Sequence, residues 1–200
     1  MRVSGDQSKE GSPIKLRVLV LAFFVASIAL MSTVDLVFSL GWRRFGVFPR
    51  DFGHLEGVIM APWLHGSFSH LFANIGALVV LGWFCLWPRI SGFLLVTLAA
   101  IFGAGLAAWL LGGRQTVHIG ASGVVFGYFG FLVLRGWYER TFSAIAVSFG
   151  VLFFYGGMVF GVLPGEAGIS WQSHFGGFVA GIVMARLLRT TSAENRLAEE

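Results

Sequence analysis

Long apolar runs alternate with short polar segments along most of this chain. Six runs come close to the roughly 20 apolar residues that a helix needs to cross a bilayer. They predict membrane spans at about 16–38, 70–87, 92–111, 122–134, 142–163 and 174–188. The fourth and sixth are short, so we expect either that these helices begin a few residues earlier or that the membrane is thinner around them.

This pattern predicts an all-α, polytopic membrane protein built on a six-transmembrane-helix bundle. The membrane domain would occupy 16–188, between a flexible cytoplasmic tail at 1–15 and a second cytoplasmic tail at 189–200. No signal peptide is expected, because the first apolar run is too long for the apolar region of one.

Composition argues against a soluble protein. Hydrophobic residues make up 56% of the chain and charged residues only 12%, whereas the surface of a soluble domain must be largely polar. The lipid bilayer is therefore the expected environment. The one cysteine, Cys85, excludes an intrachain disulfide.

The positive charge indicates topology rather than a nucleic-acid partner. The chain has 14 Lys and Arg residues against 10 Asp and Glu, but they stand singly between apolar runs instead of forming a patch. With the N-terminus inside, ten of the 14 fall on the cytoplasmic side, and the other four are Arg43, Arg44, Arg50 and Arg114. This asymmetry predicts that both termini are cytoplasmic.

Among the polar residues within the predicted spans, four stand out: His70, Asn74, Ser122 and His174. Polar groups at membrane depth are unfavourable and therefore indicate function. The predicted topology runs the three spans that carry them from outside to inside, so the four side chains should lie at similar depth near the outer surface. His70 and Asn74 are four residues apart and share one helix face.

Small residues predict that two of these helices approach each other closely. Gly123 and Gly127 follow the serine, and Gly177 and Gly181 form a small-xxx-small pair after the second histidine. Such faces allow helix backbones to come near each other. That proximity is what a Ser–His hydrogen bond of about 2.6–3.2 Å requires.

The residue types fit serine-protease chemistry, with Ser122 as nucleophile and His174 as general base. The backbone N–H of Ser122 at a helix N-terminus, the Asn74 amide and a His70 N–H would stabilise the oxyanion. No Asp or Glu lies near the start of these spans, so we expect a dyad without an orienting carboxylate. No metal and no cofactor is expected, since the chain has no His-Glu-x-x-His motif and no paired aspartates within the spans.

Each feature taken alone also has a structural interpretation. Gly-x-Ser-Gly in a membrane helix favours packing, and His70 with Asn74 suits an interhelical hydrogen bond. Other polar residues are interpreted as structural: His65 ordering the first loop, His118 a loop residue without a role, His54 in solvent and Asp35 facing the membrane interface. A small transporter or channel would need polar residues through the full depth of the spans, and their inner halves are apolar.

The joint pattern resembles the rhomboid intramembrane serine proteases. Three motifs in the family's order carry the likeness: His70-x-x-x-Asn74, Gly120-Ala121-Ser122-Gly123 and His174-x-x-Gly177-x-x-x-Gly181. The resemblance covers about 16–188 and implies a Ser–His dyad in a water-filled cavity below the outer membrane surface. It also implies that His70, Asn74 and the Ser122 N–H bind the oxyanion. The likeness is to the compact bacterial form, which implies the bacterial cytoplasmic membrane.

Two positions depart from the family pattern. Phe126 stands where the family often has tyrosine, so its ring would pack on His174 without a hydroxyl contact. Glu56-Gly57 stands where the family often has a Trp-Arg pair. Supporting packing is expected from the small residues of the motifs, Gly120, Gly123, Gly177 and Gly181.

The resemblance further implies that the substrates are single-span membrane proteins. They would enter laterally between the second and fifth spans, where the gate would include Phe149, Phe153, Phe154 and Tyr155, beneath a cap formed by 165–173. The alternative is a rhomboid-fold pseudoprotease that binds membrane clients. Such a protein normally lacks the serine or the histidine, and this chain has both.

Overall fold

The computed structural model describes residues 14–87, 89–165 and 168–189, and helices make up most of this length. Its α-helices are α1 Ile14–Phe38, α2 Gly57–Met60, α3 Phe68–Cys85, α4 Ile90–Leu111, α5 Ser122–Glu139, α6 Phe142–Tyr155 and α7 Trp171–Leu187. Short 3-10 helices cover Trp42–Phe45, Phe52–His54, Ala61–Trp63 and Gly156–Val162. Most of the two predicted tails, residues 1–13 and 190–200, lies outside the described residues.

Within the described residues, four helical segments are long and apolar enough to cross a membrane, which makes this a multi-pass protein. They are Ile14–Phe38, Phe68–Cys85, Ile90–Leu111 and Phe142–Val162. The two remaining long helices differ from the predicted bounds. Helix α5 begins at Ser122 but continues to Glu139, and α7 begins at Trp171, three residues before His174.

Helices α5 and α7 form the centre of the bundle. Helix α5 has the longest run of buried residues and packs chiefly on α7, which also packs on α4. A Cβ atom at Gly177 would overlap the carbonyl oxygen of Gly123, and one at Gly181 would overlap that of Gly127. The two backbones are in direct contact along this line, and only glycine allows that approach.

The connection between α1 and α3 packs against the loop that precedes α5. Val47 and His118 form an isolated antiparallel pair, with both N–H···O distances at 3.0 Å. The N–H of Gly120 donates to the carbonyl of Ala61 at 2.8 Å. Because these bonds hold residues 118–120, they also position the start of α5.

Asp35 does not face the membrane interface, so that prediction was wrong. Its side chain is buried, and its Oδ1 atom accepts a hydrogen bond of 2.9 Å from the backbone N–H of Trp42. A carboxylate near the end of a membrane helix can satisfy a free backbone donor in the following turn. This contact stabilises the chain where it leaves α1.

The packing around Gly57 shows why this chain cannot have the arginine of the family's Trp-Arg pair at that position. Gly57 lies against the backbone of Gly46, and a Cβ atom there would overlap the Gly46 carbonyl. The α1–α3 connection of this chain therefore has no room for an arginine side chain at position 57.

Candidate active site

Ser122 and His174 meet where α5 and α7 begin. The Ser122 Oγ and His174 Nε2 atoms are 2.9 Å apart, a hydrogen-bond distance between residues 52 positions apart in the chain. Ser122 opens α5, and His174 lies in the first turn of α7. Gly123 follows Ser122 directly, and Gly177 lies three residues after His174. The close contact of these two glycines brings the two helix ends together.

A backbone carbonyl orients the imidazole of His174. The Nδ1 atom is 2.9 Å from the carbonyl oxygen of Gly161, in the 3-10 segment Gly156–Val162. A carbonyl oxygen only accepts, so Nδ1 carries the proton and Nε2 of the neutral ring presents its lone pair to Ser122. Sequence reasoning missed Gly161, because a backbone acceptor leaves no signal in the residue type.

Phe126 covers one face of this imidazole. Its ring stacks on His174 with a centroid distance of 4.0 Å and an interplanar angle of 10°. Phe126 is four residues after Ser122, so both project from the same face of α5. The stack restricts the rotation of the His174 ring on one side.

His70 and Asn74 line the same cavity as Ser122 and His174. Gly120 has a φ of +114°, in the region that favours glycine. A Cβ atom there would be 2.6 Å from Cε1 and 2.9 Å from Nε2 of His70. The turn before Ser122 therefore lies directly against the His70 ring.

His65 holds the Asn74 side chain. The Asn74 amide nitrogen donates to His65 Nε2 at 3.0 Å, and the Ala121 N–H approaches the same atom at 3.4 Å. The His65 Nδ1 atom is 2.8 Å from the Ser32 hydroxyl, which donates to the Trp63 carbonyl. Every hydrogen bond in this network has one donor and one acceptor when His65 is neutral and carries its proton on Nδ1.

The environment of His65 keeps it neutral. The residue lies in the loop before α3 and is fully buried. Burial, followed by the electrostatic influence of His70, lowers the pKa of His65 to about 4. The sequence indicated that His65 orders the first loop, but the contact with Asn74 requires the folded chain.

The matched region of the chain decides its family. A family model described as the Rhomboid domain matches residues 53–191. This chain belongs to the rhomboid family. Members of this family are generally intramembrane serine proteases.

Chains similar to this one occur in mycobacteria and in a plant. An uncharacterized protein of Mycobacterium tuberculosis is 38% identical over 180 residues, which cover 84% of this chain and 75% of that protein. An uncharacterized protein of Mycobacterium leprae is 38% identical over 154 residues, 73% of this chain and 61% of that protein. The RHOMBOID-like protein 5 of Arabidopsis thaliana is 30% identical over 161 residues, 73% of this chain and 49% of that protein.

His118 of this rhomboid lies in the loop before α5, as expected, but it is buried and bonded on both ring nitrogens, which was not expected of a residue without a role. Its Nδ1 atom is 2.6 Å from the Ser170 hydroxyl, and its Nε2 atom is 2.9 Å from that of Thr116. Burial lowers the pKa of His118. No spacing rule connects His118 with Ser170, so sequence reasoning missed this contact. His54, by contrast, is exposed as expected.

Some of the residues predicted to form the cap and the gate line the cavity or a groove of this rhomboid. Ile169, Ser170 and Gln172 line the cavity of Ser122, whereas Glu166 and Ala167 of the predicted cap lie outside the described residues. Among the predicted gate residues, Phe154 and Tyr155 line a groove between α3 and α6. Phe149 lies instead in a groove beside α5, because it projects from another face of the helix.

Proposed function

We propose that this rhomboid is an intramembrane serine endopeptidase that uses Ser122 as nucleophile and His174 as general base. The 2.9 Å contact between Ser122 Oγ and His174 Nε2 carries this proposal. The Gly161 carbonyl on Nδ1 supports it, because that bond leaves Nε2 free to accept the serine proton.

The reaction begins when Ser122 Oγ attacks the carbonyl carbon of the scissile peptide bond and its proton moves to His174 Nε2. The Gly161 carbonyl oxygen then accepts from the imidazolium and takes the place that a carboxylate has in a triad. Collapse of the tetrahedral intermediate breaks the C–N bond, and His174 returns the proton to the leaving amine. Water, activated by His174, hydrolyses the acyl-enzyme and releases Ser122.

The oxyanion of the tetrahedral intermediate would form between α3 and the start of α5. The proposed donors are the Ser122 N–H, the Asn74 amide and His70, which all belong to residues lining this cavity. One N–H of the Asn74 amide is used by His65, and the second is available to the oxyanion. Removal of one such donor typically lowers kcat by about 10²–10³.

The substrates proposed for this site are single-span membrane proteins that enter from the lipid. The groove between α3 and α6 contains Val80 and Phe84 on one side and Val151 and Phe154 on the other. An apolar groove of this kind suits a hydrophobic substrate segment, and Phe154 is 79% exposed at its edge. Substrates that unwind near the outer face would expose their peptide bonds to Ser122.

The proposed topology has six membrane crossings, both termini in the cytoplasm, and cleavage near the outer face of a bacterial cytoplasmic membrane. Arg43 lines the cavity, and it is one of the four arginines that this topology assigns to the outer side of the membrane. The larger group of Lys and Arg residues would then remain inside, as the positive-inside rule requires.

Cleavage in proteoliposomes tests the function directly. The full chain would be reconstituted with a single-span substrate that carries a helix-destabilised outer segment, and products would be identified by mass spectrometry. We expect cleavage by the wild type and none by Ser122→Ala or His174→Ala. A fluorophosphonate should label the wild type at Ser122.

Matched controls are Ser143→Ala and His54→Ala, which change exposed residues outside the cavity and should cleave like the wild type. Unchanged cleavage by Ser122→Ala would overturn the mechanism. The absence of both cleavage and labelling across several substrates would favour a client-binding pseudoprotease.

A further inference from the structure

Two hydrogen bonds connect the segments that carry Ser122 and His174. The first joins Ser122 to His174 at 2.9 Å, and the second joins His118 Nδ1 to Ser170 Oγ at 2.6 Å. Both bonds join residues 52 positions apart. His118 stands four residues before Ser122, and Ser170 likewise stands four residues before His174. The second bond links the same two segments just upstream of the first.

Ser170 determines how the first turn of α7 is formed. It is the N-cap, and its hydroxyl accepts from the N–H of Ser173 at 3.3 Å and also bonds the Ser173 hydroxyl at 2.8 Å. Its carbonyl accepts from the N–H of His174 at 3.1 Å. Because an N-cap satisfies donors that the helix itself leaves free, the position of the Ser170 side chain affects the turn that holds His174.

His118 is a well-fixed anchor for this cap. Its backbone is bonded to Val47 in both directions, and Val47 is itself buried. The second ring nitrogen of His118 is bonded to Thr116. An imidazole held at its backbone and at both nitrogens has little freedom to move away from Ser170.

We propose that His118 is a positioning residue, which through Ser170 fixes the first turn of α7 and so the distance between Ser122 and His174. Its kinetic consequence rests on the serine-protease function proposed above. When the anchor is lost, the turn opens more often and His174 spends less time within hydrogen-bond distance of Ser122. Misplacement of a catalytic group by about 1 Å lowers a rate by up to about 10²-fold.

Three substitutions at position 118 separate positioning from mere packing. In His118→Asn, the amide stands near the place of Nδ1 and keeps a partner for Ser170, whereas His118→Gln reaches towards Thr116 and does not. We expect His118→Ala and His118→Gln to lower kcat by roughly 10- to 100-fold with KM nearly unchanged. His118→Asn should recover most of the loss. Ser170→Ala also removes the N-cap and should lower kcat at least as much as His118→Ala, and the double variant should be no slower than Ser170→Ala alone.

Hydrogen–deuterium exchange of the full chain in proteoliposomes provides a readout that needs no activity. Peptides that include Ser173 and His174 should exchange faster in His118→Ala than in the wild type, and His118→Asn should restore the protection. His54→Ala is the matched control, because this exposed histidine contacts Asp51 and does not line the cavity.

Unchanged exchange in His118→Ala would overturn the positioning role, as would equal losses of kcat in the Ala and Asn variants. If the wild type neither cleaves nor reacts with a fluorophosphonate, the protease function fails, and the exchange measurement still decides whether His118 anchors α7.

Discussion

Asn74 donates a hydrogen bond from its amide nitrogen to Nε2 of His65 at 3.0 Å, and both side chains are buried. The other ring nitrogen of His65 is hydrogen-bonded to Ser32 in α1, while Asn74 lines the cavity that contains Ser122. The orientation of one proposed oxyanion donor is thereby coupled to the packing of α1 against the rest of the bundle.

His65→Ala should impair both stability and cleavage. It leaves an N–H of the buried Asn74 amide without its partner, which typically costs about 1–3 kcal/mol. The freed amide also turns away from the oxyanion, so kcat should fall by about 10²-fold, the lower end of the range for loss of one oxyanion donor. Thermal unfolding in detergent and cleavage in proteoliposomes measure the two effects.

A double-mutant cycle with Asn74→Ala separates this coupling from independent damage. The loss in His65→Ala/Asn74→Ala should be clearly smaller than the sum of the single losses, because both single variants break the same contact. Additive losses would contradict the coupling.

Stability should decrease in acid because of His65. Its pKa is about 4 in the folded protein, against about 6.5 for an unperturbed histidine. Below about pH 6.5 the unfolded chain gains a proton that the folded chain does not bind. The free energy of unfolding therefore falls between about pH 6.5 and 4, with a slope approaching about 1.4 kcal/mol per pH unit from this group.

Unfolding of the wild type and of His65→Gln across this pH range isolates the contribution of His65. The difference between the two curves should be constant above pH 6.5 and should change towards pH 4. Parallel curves over the whole range would show that His65 does not titrate with unfolding.

Gly177→Ala should separate α5 from α7. The new methyl group would overlap the Gly123 carbonyl oxygen, and overpacking of this kind typically costs about 1–3 kcal/mol. Cleavage should fall more than stability alone explains, because the same contact holds Ser122 near His174. Gly76→Ala in α3 is the matched control, since a Cβ atom there meets nothing within 4 Å. Equal activity in both variants would argue against the role of the contact.

Phe126→Ala should lower kcat, because the His174 ring loses its stacked neighbour at 4.0 Å. An aromatic stack contributes about 0.5–1.5 kcal/mol, which corresponds to roughly 2- to 12-fold in rate. Phe126→Tyr keeps the ring and should remain within a few-fold of the wild type. Phe23→Ala, at an exposed phenylalanine of α1, serves as the control. Wild-type kcat in Phe126→Ala would contradict the orienting role of the ring.

Much of the site could be predicted from the sequence, because helix periodicity, apolar run length and the distribution of arginines can all be read from the sequence directly. The spacing of His70 and Asn74 predicts a shared helix face, and the apolar runs together with the distribution of arginines predict a common depth for Ser122 and His174. The structure places all four side chains on one cavity. Their catalytic roles remain predictions until cleavage is measured.

Contacts between distant loops could not be predicted in the same way. His118 and Ser170 are ordinary loop residues by sequence, and Asp35 resembles any acidic residue near the end of a membrane helix. Their hydrogen bonds depend on how the connections between helices fold back on the bundle. Neither helical periodicity nor the positive-inside rule describes that arrangement.

The sequence by itself determined the helical membrane class, the family motifs and the residues able to perform the chemistry, since apolar run length and residue type decide these features. Only the tertiary structure decided that the Gly161 carbonyl orients His174, that His65 holds Asn74 and that His118 anchors the start of α7. Hydrogen bonds of this kind require angstrom-level placement of groups from separate segments. That placement results from the packing of the whole bundle and is encoded in no local pattern.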